Sequence, residues 1–351
     1  MIMRNRSAYT IFIINAFIFF FQSLTKSVYA PLIVPFREAF MIDNAQAGLL
    51  VTLVFLGYAI ARFPSGIMAD KWSCTKVIWA GSLAMALSFW TVAVSPNYLS
   101  IAFFTFTLGV SSGLYVTAGY TLAVIIGKRK RAATATAAFE SFGSVASIIS
   151  PFLVTGFVLY SNWPWLFFLL GGLLFGLTLL FFRKKQESLS LEIAAQKNMQ
   201  EIHCDNLNTA TDIKGVKNLF KKITIPLQVF REPSLRRFIV WSTLIGGLGA
   251  ISWTGINSFI PTFLVEDKGY SFAGANAMFA IIAVSGLVTK IGIGWLADRF
   301  GNRLVLFCIL TLSVFLFFAL TLANEHWHLL TVLVLLGVTC LNTNTLINSY
   351  V

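Results

Sequence analysis

Charged residues are scarce in this chain of 351 residues: Asp, Glu, Lys and Arg together make up 11%, against 57% hydrophobic residues. Soluble domains carry about a quarter charged residues, and a soluble chain of this length needs more polar side chains to cover its surface. The scarcity therefore excludes an ordinary water-soluble protein. The apolar residues fall in repeated runs of the length that spans a bilayer as a helix.

The sequence also lacks the patterns that enzymes use for metal, nucleophilic or phosphate chemistry. Its 4 cysteines have neither disulfide nor zinc spacing, and His326 and His328 flank Trp327 without further ligands nearby. There is no nucleophile triad, metal cage or phosphate-binding loop. We therefore expect no enzymatic activity, no metal site and no cofactor.

What the sequence does contain is a series of long apolar runs, each of which predicts a membrane-spanning helix. The first is too long for a cleaved signal peptide and lacks a small-residue cleavage site. The predicted spans are residues 9–34, 46–66, 77–95, 98–126, 132–159, 163–182, 237–264, 272–294, 304–323 and 329–350.

The basic residues predict the orientation of these spans, because cytoplasmic loops carry an excess of Lys and Arg. With a cytoplasmic N-terminus, 21 of the 26 basic residues lie on the inner side, Arg37 and Lys268 lie outside, and Lys26, Arg62 and Lys290 lie within spans. The formal net charge of +12 is thus mostly a topology signal and does not indicate nucleic-acid binding. We expect a multi-pass protein of a prokaryotic inner membrane, in contact with membrane lipid.

A polar stretch over residues 186–236 separates six predicted spans from four. Within it, apolar residues between Ile213 and Ile223 share one helical face and lysines occupy the rest. This pattern suits a helix on anionic lipid or a helix packed against the inner ends of the bundle, and both interpretations stay open. The predicted domains are a six-helix bundle over 1–185, a cytoplasmic linker with a basic amphipathic helix over 186–236, and a four-span bundle over 237–351.

A short motif recurs 228 residues apart, at the end of the second span of each half. The segment "ARFPSGIMADKW" aligns with "TKIGIGWLADRF", and a repeat of this kind predicts two related bundles in parallel order. The aligned pairs are Arg62 and Lys290, Gly66 and Gly294, Asp70 and Asp298, and Lys71 and Arg299. The second copy continues through Gly301 and Arg303, whereas the first has Ser73 and Cys74 in place of a Gly-basic pair.

Both copies resemble the loop motif between spans two and three of the major facilitator superfamily. The resemblance implies an all-α membrane protein of two pseudo-symmetric helical bundles, with six plus four spans of an expected six plus six. In that family the motif forms a latch between the bundles, in which glycine allows close helix approach and the acid meets a helix N-terminus. The latch residues implied here are Gly66, Asp70, Lys71, Gly294, Asp298, Arg299, Gly301 and Arg303. We expect spans eleven and twelve to be absent, and with them the partner of Asp70.

The segment from Ser23 to Trp72 resembles the opening of the anion:cation symporters and the related organophosphate antiporters. The residues that carry this resemblance are Lys26, Pro35, Gln46, Gly48, Gly57 and Tyr58. The arginine motif of drug–proton antiporters is missing, because Thr105 stands four residues before Gly109.

Ionisable residues within a span cost several kcal/mol and usually serve function. Glu140 is the only acid deep in a predicted span. It differs in depth from Lys26 by roughly 13 Å, which is too far for a direct ion pair. We predict that Lys26 contacts the substrate and that Glu140 is the coupling residue. The alternatives are Lys26 as an interfacial anchor and Glu140 as a partner of the basic residues 128–131. Further candidate substrate contacts are Gln22, Tyr115, Trp253, Asn257 and Asn342.

These features together predict a secondary transporter that works by alternating access on a small solute. An organic anion is the expected solute, with a proton or sodium ion as the candidate coupling ion. Two alternatives stay open: a membrane sensor on the same fold that moves no solute, and an inactive truncated remnant.

Overall fold

The computed structural model describes residues 6–194, 254, 255, 257–323 and 325–350; for residues 6, 128–134 and 341–350, and for several positions between 290 and 303, it describes the backbone alone. The described residues form helices joined by short turns, without a β-strand. In this part of the chain, 8 segments are long and apolar enough to cross a membrane. A helix satisfies all of its backbone hydrogen bonds internally, which is what a bilayer demands.

The helices follow the predicted spans closely. They are α1 Arg6–Ser27, α2 Tyr29–Phe40, α3 Asn44–Trp72, α4 Cys74–Ala93, α5 Tyr98–Tyr160, α6 Trp163–Arg183, α7 over 185–194, α8 over 257–266, α9 Phe272–Phe300, α10 Asn302–Leu322 and α11 His326–Tyr350. Most of the predicted span over 237–264 lies outside the described residues. The predicted domain boundaries stay a prediction.

The first predicted span is divided into α1 and α2 at Val28, and proline explains the break. Pro31 has no N–H to donate to the carbonyl of Ser27, four residues earlier. That carbonyl instead accepts a hydrogen bond of 3.3 Å from the hydroxyl of Ser150. The interruption therefore ties the first span to α5 through a partly buried polar contact.

The helix α5 contains two predicted spans, and the chain doubles back between them. The hydroxyl of Tyr120 donates a hydrogen bond of 3.3 Å to Glu140, 20 residues further on. A straight helix of that length would separate the two residues by about 30 Å. The limb Tyr98–Gly127 thus packs beside the limb Ala135–Tyr160, as two antiparallel spans.

The repeat detected in the sequence is also present in the packing of the two halves. A Cβ added to Gly109 would lie 2.2 Å from the carbonyl oxygen of Val54, and a Cβ added to Gly337 would lie 2.3 Å from that of Ile282. Each residue of the second pair stands 228 positions after its counterpart. The same close approach, which only glycine permits, therefore joins equivalent helices in both halves.

The helix α7 lies against the end of the first half that the basic residues predict to be the inner one. Its Glu192 is buried and accepts hydrogen bonds from the backbone N–H of Cys74 (2.9 Å) and Thr75 (3.4 Å), at the N-terminus of α4. Near its other end, Glu187 accepts hydrogen bonds from Lys184 and Ser7, which lower the pKa of this carboxyl below its usual value. Two carboxylates thus fasten the start of the linker to the bundle.

The two halves touch at the end of the molecule that the basic residues predict to be the outer one. Arg37 at the end of α2 forms an ion pair with Glu266 at the end of α8, and Asn44 donates to the same carboxylate. Asn276 of α9 donates a hydrogen bond of 3.0 Å to Thr155 of α5. These contacts hold the outer ends of the halves together.

Gln46 and Gly48, two of the residues that carry the resemblance to the symporters, have a physical role at this outer contact. Asp43 and Gln46 form a reciprocal capping box that starts α3. A Cβ added to Gly48 would lie 2.7 Å from the ring of Phe259, so glycine leaves room for an aromatic side chain of the other half. Gln46 thus helps to start α3, and Gly48 allows Phe259 to pack against it.

Candidate functional site

A cavity of about 300 Å³ lies between the two halves. Its wall is formed by α1, α2, α3 and the second limb of α5 on one side, and by Thr254, α8 and α9 on the other. The polar and charged side chains on this wall include Ser23, Lys26, Ser147, Thr254, Asn257 and Ser258. A volume of this size suits a small solute.

Lys26 is the charged residue among the described residues that line the cavity. Its ammonium lies 4.4 Å from the centre of the Tyr58 ring, and Tyr58 is at the middle of the 29-residue helix α3. The charge therefore sits near the centre of the bundle and away from the outer end. A cation over an aromatic face is stabilised by the ring electrons, but it keeps its charge available to an anion.

A second group of polar residues lies near Lys26, around and beyond the ring of Tyr58. The guanidinium of Arg62, one helical turn after Tyr58, lies 5.4 Å from the ring centre. Tyr120 lies near Tyr58 and Arg62, and its hydroxyl donates a hydrogen bond to Glu140. We call Tyr58, Arg62, Tyr120 and Glu140 the inner polar group.

Glu140 and Lys26 do not form an ion pair, which agrees with the difference in depth estimated from the sequence. Its side chain is exposed, and among the described residues its hydrogen-bond donor is Tyr120. The ring of Tyr120 packs edge-on against Phe19 and Phe139, which holds the hydroxyl in place. The side chains of residues 128–131, the alternative partners of Glu140, lie outside the description.

Two of the predicted substrate contacts lie away from the cavity wall. Gln22 is buried and donates its amide to the hydroxyl of Ser112 at 3.0 Å. Tyr115 is buried as well, and its hydroxyl donates to the carbonyl oxygen of Asn15 at 2.8 Å. Both residues join α1 to the first limb of α5, so their visible role is helix packing.

Asn257 lies on the cavity wall with Lys26, so the structure brings these two candidates together. The side chain of Asn342 and the whole of Trp253 lie outside the described residues. The sequence reasoning missed Thr254, Ser258 and Ser147 on the wall. For the first two, the repeat was a usable signal, because a shift of 228 places Thr254 opposite Lys26 and Ser258 opposite Ala30.

The predicted latch residues of the first motif show no latch contact among the described residues. Asp70 and Lys71 are exposed, and Asp70 has no ion pair among the described residues. The close approach expected at Gly66 is not seen, because a Cβ there would meet Thr117 at an ordinary 3.9 Å. The tight contacts of α3 occur instead with the first limb of α5, where a Cβ on Gly57 would lie 2.4 Å from the carbonyl oxygen of Phe106.

Fewer side chains of the second motif are among those that the structure describes. The backbone at Gly301 has φ 89°, a conformation that favours glycine, and Arg299 stacks on Trp295 and Phe300. The side chains of Asp298 and Arg303 and the surroundings of Gly294 lie outside the description. Within the described part of the chain, no group of three or more His, Cys, Asp or Glu residues could hold a metal ion.

The chain is similar to bacterial transporters of small solutes. It is 27% identical over 295 residues to the probable sulfoacetate transporter SauU of Cupriavidus necator, a match that covers 82% of this chain and 63% of the relative. It is 24% identical over 301 residues to the niacin transporter NiaP of Acinetobacter baylyi, covering 82% of this chain and 66% of that one. The chain thus spans just under two thirds of the length of these relatives.

Solved structures share the fold at low sequence identity. A partially occluded inward-open conformation of the xylose transporter XylE from E. coli has a TM-score of 0.72 at 11% identity, covering 97% of this chain and 86% of that one. A bacterial homologue of the human lysosomal transporter Spinster, inward-facing and unoccupied, has a TM-score of 0.71 at 14% identity, covering 99% and 76%. The family model of the Major Facilitator Superfamily matches residues 16–351. This all-α chain of two related helical halves belongs to the Major Facilitator Superfamily.

Proposed function

We propose that the chain is a secondary transporter that carries a small organic anion across a bacterial inner membrane by alternating access. The observation that carries the proposal is the position of Lys26, a charged side chain on the wall of the cavity between the halves. The N-terminus is cytoplasmic in this proposal, as the basic residues predict. Members of the family and the relatives found here move small solutes, and the finer assignment to an anion rests on Lys26.

A charge near the centre of a membrane protein has a high energetic cost. A buried ammonium is expensive unless a negative group pairs with it. No carboxylate of the described residues lies within ion-pair distance of Lys26. The Tyr58 ring offsets part of this cost. An anionic solute that pairs with the ammonium would offset the remainder. The relative named for niacin, a monocarboxylic acid, supports the same assignment.

Glu140 is the proposed coupling residue, with a proton or sodium ion as the candidate ion. It lies in the inner polar group with Arg62 and Tyr120, apart from the ammonium of Lys26. Ion binding at Glu140 would change the charge beside Tyr120 and with it the electrostatics of the route between the cavity and the inner side. One of the relatives is a proton symporter for L-fucose, which supports ion coupling.

Alternating access needs two states, and the contacts at the outer end belong to one of them. The ion pair of Arg37 with Glu266 joins the halves on the outer side in this structure. The exposed Asp70 and Lys71 fit a latch that is released in the same state and closes in the opposite one. The second latch copy, around Asp298, is proposed to act in the same way.

The test is anion binding by charge variants of Lys26 in the purified chain, reconstituted in lipid nanodiscs. We expect Lys26→Arg to keep part of the affinity, because charge remains while geometry changes. Lys26→Gln should lose about 1.5–3 kcal/mol, the range for a charged hydrogen bond, which is about 10- to 150-fold in affinity.

The matched control is Lys185→Gln, which removes the same charge from α7, over the ring of Trp79 and outside the cavity. It should bind like the parent. Calorimetric titration with benzoate, 4-hydroxybenzoate and nicotinate gives the affinities. Equal binding by Lys26→Gln and the parent, or binding of organic cations in place of anions, would show that Lys26 does not recognise an anionic solute.

A further inference from the structure

The polarity of the cavity wall is unequal between the two halves. The first half contributes Lys26, whereas the described wall residues of the second half, such as Thr254, Asn257 and Ser258, carry hydroxyl and amide groups without charge. The remaining wall is mostly apolar, as at Phe55 and Phe279. The described wall therefore offers one positive charge on one side and neutral hydrogen-bonding groups on the other.

The internal repeat shows that this inequality falls on equivalent positions. A shift of 228 places Lys26 on Thr254, Ala30 on Ser258 and Phe55 on Ala283, and all of these residues line the cavity. The shift is reliable in three dimensions, because it also relates the Gly109–Val54 contact to the Gly337–Ile282 contact. Where the first half has an ammonium, the second half therefore has a threonine hydroxyl.

We infer that the site selects a solute with a single anionic group and an uncharged, hydrogen-bonding far end. This inference rests on the proposed function and specifies its substrate class. The anionic group pairs with Lys26, and hydroxyl, amide or ring-nitrogen groups at the far end bind Thr254, Asn257 and Ser258. A second carboxylate or phosphate at the far end would have to leave water for the described wall residues of the second half, which carry no positive charge. An unpaired buried charge is strongly disfavoured.

Three benzoates of one shape test the inference, because they differ only at the far end. Benzoate carries hydrogen there, 4-hydroxybenzoate a hydroxyl, and terephthalate a second carboxylate. With the parent chain in nanodiscs, we expect 4-hydroxybenzoate to bind most tightly and terephthalate to bind about tenfold or more weaker, since it places a second charge against the neutral side. This ranking needs no variant and cannot be obscured by misfolding.

A variant that supplies the missing charge provides the second measurement. Thr254→Lys places a cation at the position equivalent to Lys26, so we expect the preference to reverse in favour of terephthalate. Thr254→Val is the matched control: it removes the hydroxyl without adding charge, so it should weaken 4-hydroxybenzoate without favouring terephthalate. Elution of each variant as a single species of the parent's size reports that it is folded.

The outcomes separate this inference from the proposed function. If the parent prefers terephthalate and Lys26→Gln abolishes that binding, an anion site exists and the single-charge inference is wrong. If none of the three benzoates binds, or if Lys26→Gln binds them as the parent does, the proposed function itself fails and this inference fails with it. A preference of the parent for 4-hydroxybenzoate that Thr254→Lys reverses supports both.

Discussion

At the scale of single residues, Ser73 adopts a backbone conformation that favours glycine. It stands 228 residues before Gly301, and both have positive φ, 115° for Ser73 and 89° for Gly301. A side chain in this region of backbone space costs about 1–3 kcal/mol. The Ser73 hydroxyl recovers a part of this cost by accepting a hydrogen bond of 3.3 Å from the N–H of Lys76 at the start of α4.

We therefore expect Ser73→Gly to stabilise the chain by about 1 kcal/mol, because glycine relieves the strain and replaces a capping serine at a cost of only a few tenths. Ser73→Ala should destabilise it, because alanine keeps the strain and loses the cap. Thermal unfolding in detergent micelles, followed by tryptophan fluorescence, measures both. A lower midpoint for Ser73→Gly than for the parent would contradict the strain argument.

At the scale of helices, α7 connects the linker to the loop that carries the first latch motif. The carboxylate of Glu192 occupies the N-terminus of α4, where backbone N–H groups and the helix dipole favour a negative charge. Glu192→Gln keeps the shape and removes the charge. We expect it to lower the free energy of unfolding by about 1–2 kcal/mol.

Glu187→Gln is the control for this prediction, since Glu187 lies on the same helix but is only partly buried. Loss of its charge should have a smaller effect, because ion pairs near the surface contribute little. Denaturant titrations of the two variants and the parent, in the same micelles, give the comparison. If both variants lower the free energy of unfolding equally, the contact of Glu192 with α4 contributes no more to stability than the contacts of Glu187.

A second prediction at this scale concerns the contact between α2 and α8. Glu266 accepts from both Arg37 and Asn44, and its side chain is 35% exposed. Glu266→Gln should weaken the outer contact by up to about 1 kcal/mol, as for a partly exposed ion pair, and shift the balance of states up to fivefold toward an open outer end.

Spin labels at Tyr160 and Leu322, exposed residues at the outer ends of the two halves, would report this shift as a longer distance. The control is Glu325→Gln, which removes a carboxylate that pairs with His328 within a single half. It should leave the distance distribution unchanged. The role of the Arg37–Glu266 contact is disproved if Glu266→Gln gives the distribution of this control.

At the scale of the whole molecule, the apolar runs and the repeat were enough to predict the architecture. Hydrophobic length determines the spans, and the shift of 228 predicted two related halves that the glycine contacts then reproduce. The family model confirms the predicted superfamily. Lys26, the candidate site residue on α1, could also be proposed from the sequence, because it is a lone cation in a long apolar run.

The remainder depended on contacts between distant helices, which periodicity does not encode. Gln22 and Lys26 differ by about 40° around one helix, yet the first packs on Ser112 and the second faces the cavity. The burial of Glu192 depends on where α7 meets α4. The break at Val28 needs Pro31 and the distant Ser150 together.

The central claim is that this chain moves an anion through the cavity at Lys26, and solute counterflow tests it most directly. Proteoliposomes are loaded with the tightest-binding of benzoate, 4-hydroxybenzoate and nicotinate, and then diluted into a trace of the same labelled compound. We predict transient accumulation of label with the parent and with Lys185→Gln, and about a tenfold or greater loss with Lys26→Gln. Binding without counterflow would contradict transport and favour a sensor, and undiminished counterflow by Lys26→Gln would contradict the assigned site.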